Sequence, residues 1–301
     1  MTDLAGSTLR LLRQNGRQSS PDPRSRRDPA TSAEVYGATD VGLVRDRNED
    51  QFLVARLARA LDVEQSSIAI DKNAHEAGCP QGRLLMVADG MGGVPGGDVA
   101  SAVAIDAMTS YAFAMMPWIQ AAGYSQPDLL SEGLRQALHD CEARMHRVAR
   151  RKGLDENMGT TLTIAYVTWP VLHVVHVGDS RCYLFRGGEL SRLTRDHTIA
   201  QELVDRRALT ERQAAQSRFS SMLTNAVGGS HEAVVDLHRL ELSEGDELLL
   251  CSDGLSTLVA DHQLHDLMAQ GGSVRDRVTT LIEAAKGAGG DDNITAVLAH
   301  F

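Results

Sequence analysis

Three times in this chain a run of strand-forming apolar residues closes on an aspartate and then a small residue. The runs are Leu84-Leu85-Met86-Val87-Ala88-Asp89-Gly90, Val174-Val175-His176-Val177-Gly178-Asp179-Ser180 and Leu248-Leu249-Leu250-Cys251-Ser252-Asp253-Gly254. A mirror image, Asp291-Asp292-Asn293, stands directly before the apolar run Ile294–Ala299. In an antiparallel sheet the end of one strand lies beside the beginning of its neighbour. The pattern therefore predicts strands that deliver Asp89, Asp179, Asp253 and Asp292 to one end of a sheet structure. A fifth acidic site, Asn48-Glu49-Asp50, follows the turn-prone segment around Gly42 and precedes Phe52-Leu53-Val54.

Gathering so many carboxylates is costly, since two like charges ~4 Å apart at an effective dielectric of ~20 repel by about 4 kcal/mol. Such a cluster persists by binding hard cations, and all-oxygen donors favour Mg2+, Mn2+ or Ca2+ over zinc or copper. The small residues beside the aspartates, Gly90, Ser180 and Gly254, let backbone carbonyls and waters approach an ion.

Strands are expected at Leu84–Ala88, Thr161–Thr168, Leu172–Val177, Cys182–Arg186, Glu247–Cys251 and Ile294–Ala299. Between them, residues 128–150 carry Leu130, Leu134, Leu138, Cys141, Met145 and Val148 at helical spacing. Residues 98–115 are apolar over much of the circumference and predict a helix packed between layers. A last helix opens at Ser273 and stops at Gly287. Strands in two clusters flanked by helices imply an α+β domain, a β-sandwich covered by helices. Residues 195–230 differ, with two short polar helices opening on Thr198-x-x-Gln201 and Thr210-x-x-Gln213, and read as a mobile flap. Residues 56–82 read as a long surface loop or hairpin insertion.

Residues 1–33 hold six arginines and three aspartates with few apolar residues, and predict a disordered tail before a single domain at 34–301. The whole chain carries a net charge of −10. That argues against nucleic acid or an anionic membrane as the main ligand. Four cysteines without a C-x-x-C pattern suit free thiols in a reducing compartment. With no apolar stretch long enough for a signal peptide or a membrane span, a soluble cytoplasmic protein is expected, a monomer in the first instance.

Six segments, in order, resemble the motifs of the protein phosphatase 2C family, in its short bacterial branch, over roughly residues 36–300. They are Thr39-Asp40-Val41-Gly42-Leu43-Val44-Arg45-x-x-Asn48-Glu49-Asp50, Val87-Ala88-Asp89-Gly90-Met91-Gly92-Gly93, Met158-Gly159-Thr160-Thr161, Val177-Gly178-Asp179-Ser180-Arg181, Ser252-Asp253-Gly254-Leu255 and Asp291-Asp292-Asn293. The resemblance implies a four-layer α/β/β/α sandwich of two antiparallel sheets, with a metal centre at one end.

By matching motifs, Asp89 would bridge two Mn2+ or Mg2+ ions and Gly90 would offer its carbonyl to one. Asp253 and Asp292 would hold the other, and Glu49 or Asp50 would complete the shell through water. Asp179 with Asp253 would form a third, weaker site. The implied activity is hydrolysis of phosphoserine and phosphothreonine by water held between the two cations, without a covalent phosphoenzyme. Arg45 would grip the phosphoryl oxygens, as a planar guanidinium matches phosphate geometry. Implied partners are phosphorylated proteins and a bacterial Ser/Thr protein kinase that the enzyme opposes.

Met91 stands where animal members carry the histidine thought to act as general acid. His197 is the one other candidate in the neighbourhood. His173 and His176 resemble a metal pair, but i and i+3 in a strand point to opposite faces, so both read as structural. A nucleotide-binding reading of Gly90–Gly97 fails because Pro95 occupies the third glycine position of a G-x-G-x-x-G count. A pseudophosphatase, a phosphopeptide-binding scaffold without chemistry, would have lost a metal carboxylate, and Asp89, Asp179, Asp253 and Asp292 are all present.

Overall fold

Strands that are apolar on both faces need cover on both sides. In the computed structural model, which describes residues 29–59, 79–91, 96–121, 127–229 and 231–301, they have it. In chain order the elements are α1 (Pro29–Ser32), β1 (Glu34–Asp40), β2 (Asp50–Arg59), β3 (Cys79–Asp89), α2 (Gly97–Ala121), α3 (Pro127–Lys152), β4 (Gly159–Thr160), β5 (Leu162–Thr168), β6 (Val171–Val177), β7 (Arg181–Arg186) and β8 (Glu189–Arg192). There follow α4 (Ile199–Asp205), α5 (Glu211–Ala215), β9 (Val227–Gly228), β10 (Asp236–Glu241), β11 (Glu247–Cys251), α6 (Asp253–Ser256), α7 (Asp261–Ala269), α8 (Val274–Gly287) and β12 (Ile294–His300).

Two five-stranded sheets result, with orders β1-β12-β11-β7-β8 and β10-β6-β5-β3-β2, and a small ladder joins β4 to β9. Every pairing is antiparallel. The period-two alternation of a strand then assigns each side chain to a layer. Leu85 and Val87 of β3 meet Leu248 and Leu250 of β11 between the sheets. Leu84, Met86 and Ala88 turn outward to Ala104 and Met108 of α2 and Leu134 and Leu138 of α3. On the opposite side Leu249, Ala296 and Leu298 turn outward to Leu264 of α7 and Val278 and Leu281 of α8. The outcome is the expected helix, sheet, sheet, helix sandwich. Among the described residues, no helix is long and apolar enough to cross a membrane.

Strands β3, β5, β6, β7, β11 and β12 and the three longest helices fall where periodicity put them. Ser273 caps α8 by accepting a hydrogen bond from the Asp276 amide, and the last helical residue is Gly287. Three expectations need correction, and one open alternative, loop or hairpin at 56–82, is narrowed to the hairpin at its described ends. The tail boundary at 33 is too late: Pro29–Ser32 is helical, Ala33 is buried, and its carbonyl accepts a 2.9 Å hydrogen bond from Arg83. Residues 1–28 lie outside the described residues. Both ends of segment 56–82 belong to a hairpin, with Arg56 opposite Arg83 and Arg59 opposite Cys79, while 60–78 lie outside the described residues.

Helix α2 is an outer layer rather than an element between layers. It buries Ala100, Ala104, Met108 and Ala112 against the sheet, but leaves Phe113 76% exposed. Finally, no strand or helix expectation covers β1, β2, β4, β8, β9, β10, α6 or α7, although Phe52-Leu53-Val54 of β2 stands out as an apolar run. β8 and β10 are polar, half-exposed edge strands, and α6 is a single turn, so none carries the apolar period that marks the others.

Leu298 is fully buried at the centre of β12, facing α8. Leu298→Ala should lower the unfolding free energy by about 2–5 kcal/mol, the usual cost of a truncated core leucine. Urea titration followed by circular dichroism checks this.

Candidate functional site

The register of the sheets carries the carboxylates to one end. Asp50 opens β2 directly opposite Asp89, which closes β3. Beyond Cys251 at the end of β11, the Ser252 amide donates to the carbonyl of Thr295 at the start of β12. That contact sets Asp253, the first residue of α6, beside the Asp292-Asn293 turn. Asp179 lies in the short link between β6 and β7, and β7 pairs with β11 so that Arg181 stands opposite Cys251. Close approach depends on two glycines. A Cβ on Gly90 would sit 2.2 Å from the Gly97 carbonyl oxygen, and one on Gly254 would sit 2.0 Å from that of Asn293.

Hydroxyl groups stitch these turns together. The Asp89 amide donates to Thr161 Oγ1 (3.0 Å), Thr160 Oγ1 donates to the Asp89 carbonyl (2.8 Å), and Thr161 and Ser180 share a 2.7 Å hydroxyl contact. Asp50 is buried, and its Oδ2 accepts from Ser252 Oγ at 2.7 Å and Thr295 Oγ1 at 2.6 Å. Asn293 is the hub of the far side. Its Oδ1 accepts from the Glu49 amide (2.7 Å), and its Nδ2 donates to the carbonyls of Val41 (3.0 Å) and Arg47 (2.8 Å). Sequence reasoning assigned no role to Thr160, Thr161, Ser252, Asn293 or Thr295. Thr160, Thr161, Ser252 and Asn293 lie inside the motif segments, which was the available signal, and Thr295 lies two residues beyond the last of them.

The carboxylates raise one another's affinity for protons. Burial pushes Asp50 up to about 7, with the hydrogen bonds from Thr295 and Ser252 opposing the rise. Burial, then the charges of Asp50, Asp253 and Asp179, hold Asp89 well above the ordinary carboxylate range. Asp179 is raised well above it by burial and Asp253, and Asp253 is raised by burial and Asp292. Glu49 is raised as well, by burial and then Asp98.

Two buried carboxylate oxygens, Asp50 Oδ1 and Asp253 Oδ1, accept no hydrogen bond. Native proteins seldom leave such atoms without a partner, because each costs ~1–3 kcal/mol or more. A cluster of repelling oxygens with orphaned lone pairs fits a hard divalent cation. Among the described residues, no three Asp, Glu, His or Cys side chains form a closed ligand set by themselves. Asp292 is turned instead to Arg45, whose Nη2 donates to its Oδ2 at 2.8 Å. A cation here would therefore need backbone carbonyls and water beside the side chains, and Asp292 would have to divide itself between the cation and Arg45.

Arg45 is an exposed cation bonded to a site carboxylate, with its guanidinium pKa raised by the Asp292 hydrogen bond. Arg181 is half-buried and committed, with Nε and Nη2 gripping Asp196 (3.0 and 2.7 Å) and Nη1 donating to Tyr183 Oη (3.1 Å). Asp196 lies at the base of the flap, whose two helices are capped by Thr198 and Thr210, with the reciprocal capping box expected of both formed only at Thr210–Gln213.

His197 is no surface residue. Its Nδ1 accepts from the Gly178 amide (3.1 Å) and faces Asn225 Nδ2 (2.9 Å), while Nε2 lies 3.0 Å from Asp236 Oδ2. It is buried against His176, which burial holds neutral with a pKa of about 4. With both nitrogens engaged, His197 locks the flap base to the turn bearing Asp179 and is not placed as a general acid. His173 and His176 are both buried in β6, in keeping with a structural role. Between the flap helices and α6 runs an open cavity of about 480 Å3, with Asp179, Arg181, Asp196, Gln201, Asp253 and Asp261 in its walls.

The family model described as protein phosphatase 2C matches residues 71–299. The chain is 38% identical over 217 residues to the serine/threonine protein phosphatase PstP of Mycobacterium tuberculosis, a match covering 72% of this chain and 40% of that protein. It thus spans less than half of that relative's length. It is 32% identical over 218 residues to the protein phosphatase PhpP of Streptococcus pneumoniae, covering 71% of this chain and 84% of that one. Among solved structures, the catalytic domain of the serine/threonine protein phosphatase PstP in complex with two manganese ions aligns with a TM-score of 0.67 at 32% identity, covering 89% of this chain and 97% of that one.

Acids held above their ordinary range in the fold stabilise it fully only below about pH 4, and that stability is lost as pH rises toward the raised values. In excess chelator, the melting temperature should accordingly fall between about pH 4 and 7, the window that Asp50 dictates. Mn2+ should offset the fall, and Asp50→Asn should flatten it. A chelated wild type that melts at one temperature across this window would contradict the assignment.

Proposed function

The chain belongs to the protein phosphatase 2C family, and on that premise we propose that it is a metal-dependent serine/threonine protein phosphatase. The observation that carries this reading is the meeting of Asp50, Asp89, Asp179 and Asp253 at one end of the sandwich. Two of their buried oxygens are orphaned, and an exposed arginine stands beside them.

In this reading Asp89, the Gly90 carbonyl, Asp253 and Asp292 hold two divalent cations, with Glu49 and Asp50 behind them. Asp179 with Asp253 offers a third, weaker position. Manganese in the PstP catalytic-domain structure supports Mn2+ or Mg2+ as the ions. Bound cations would supply Lewis acidity toward the phosphoryl group and lower the pKa of water from about 15.7 toward about 7.

The remaining steps belong to the chain's own side chains. Asp50, fixed by Ser252 and Thr295, holds its carboxylate against the back of Asp89 and keeps that residue in register. Arg45 presents a guanidinium that exchanges its Asp292 contact for phosphoryl oxygens, since carboxylate and phosphoryl oxygens both accept from its planar fork of donors. Asp292 would then be free to help hold a cation. Arg181 stays out of the reaction, its donors being occupied by Asp196 and Tyr183. His197, bonded through both ring nitrogens, leaves protonation of the departing serine or threonine oxygen to water at the open face of the site. The substrates are phosphorylated proteins, and the enzyme opposing this one is a Ser/Thr protein kinase. Every carboxylate that a pseudophosphatase would have lost is present.

Hydrolysis of a phosphothreonine peptide and of a small aryl phosphate, each in Mn2+, Mg2+ and excess chelator, tests the reading. Turnover should appear with metal and vanish with chelator. Asp253→Ala and Asp89→Ala should each lower kcat about a thousandfold, the rate equivalent of roughly 4 kcal/mol. Arg45→Ala should raise KM about tenfold or more, as expected for a charged hydrogen bond worth ~1.5–3 kcal/mol. An unchanged KM removes Arg45 from the phosphate site.

A further inference from the structure

Among the described residues, six large apolar side chains stand exposed, and three of them, Val41, Leu43 and Val44, fall within four consecutive positions. Single exposed apolar residues are ordinary, whereas a cluster on one turn calls for a partner. The turn leads directly into Arg45. Leu43 and Val44 are the most exposed of the three, at 63% and 67%.

This turn is held rigidly. Gly42 has φ +80°, and a Cβ there would lie 2.2 Å from the Asp292 carbonyl oxygen. Its amide donates to Asp40 Oδ1 (2.9 Å), the Leu43 amide donates to the Gly290 carbonyl (2.6 Å), and Asn293 grips the Val41 carbonyl (3.0 Å). Leu43 leans one side on Gly290 and leaves the other open. The backbone bonds that pin the turn come from the 290–293 segment that carries Asp292. The apolar pair is therefore fixed relative to the phosphate site.

We infer that Leu43 and Val44 form an apolar shelf that receives a side chain one or two residues from the phosphoserine or phosphothreonine of a substrate protein. The distance fits, since consecutive Cα atoms are about 3.8 Å apart and an extended peptide advances about 3.3 Å per residue. A substrate whose phosphate sits on Arg45 thus lays its neighbouring residues across the shelf. An anionic lipid surface is disfavoured by the carboxylate cluster alongside and the net charge of −10. The inference rests on the phosphatase reading and gives it a substrate preference, for apolar residues flanking the phosphorylated position.

The test is a panel of phosphothreonine peptides with Leu or Ser placed in turn at each of the two positions on either side, assayed with Mn2+ beside a small aryl phosphate. Wild-type protein should favour Leu over Ser about tenfold in kcat/KM at one or more positions. In Leu43→Gln/Val44→Gln that ratio should approach one. Should the double variant fold poorly by circular dichroism, Val44→Thr alone should still reduce the ratio, and Leu43→Lys should turn the preference toward Glu at the same position. A wild type that cleaves the aryl phosphate and all peptides equally overturns the shelf and leaves the phosphatase standing. A wild type inert toward every phosphate in every metal overturns both. A preference that survives the substitutions, or a dimer that they dissociate while the preference stays, also overturns the shelf.

Discussion

Mutual repulsion among carboxylates at one end of the sandwich is the constraint around which the structure is arranged. Asp50 and Asp89 occupy directly opposed positions of an antiparallel pair, where Cα atoms lie only about 4.5–5.5 Å apart. Asp253 and Asp179 are near enough to raise the proton affinity of Asp89 further. Nothing local favours this arrangement. It is imposed by three apolar layers, between the sheets and on both outer faces, whose burial outweighs it. The hydroxyls of Ser252 and Thr295 relieve part of the repulsion, and the two orphaned oxygens mark what remains for a cation to satisfy.

The two arginines near this end divide the labour by burial. Arg181 is enclosed and bidentate on Asp196, so its charge balances Asp179 and anchors the flap base without reaching substrate. Arg45 is exposed, makes a single contact to Asp292, and can exchange it. His197 adds a second anchor, since the Gly178 amide donates to its ring while its own amide donates to the Gly178 carbonyl at 2.8 Å. The flap helices therefore spring from a fixed base beside the cavity that Asp179 and Asp253 line. In the proposed enzyme this fixed base would let the flap's outer residues vary in contact with substrate without disturbing the site.

The turn at 41–45 ties these features to recognition. Its backbone is spent on hydrogen bonds to the 290–293 segment, so its side chains are free to face outward. Polar residues would be the ordinary choice at such a tip. Leucine and valine there, beside Arg45, are accounted for in the proposed reading by a substrate that buries them.

Much of this was legible in the residues alone. Runs such as Leu248–Cys251, apolar at every position, specify strands covered on both faces, and an aspartate at the end of each run specifies an acidic sheet end. The caps at Thr198, Thr210 and Ser273 are local hydrogen bonds spanning three residues, so they too could be read in advance. What tertiary structure alone decided are the matters settled between residues remote in the chain. Thr295 reaches Asp50 across 245 positions and Arg45 reaches Asp292 across 247, which no periodicity encodes. The burial of His197 and the pairing of the polar edge strands β8 and β10 likewise depend on neighbours supplied by the fold. Local pattern fixes which residues can form an element and where it stops. Register and burial decide which side chains end up sharing a proton, a cation or a phosphate.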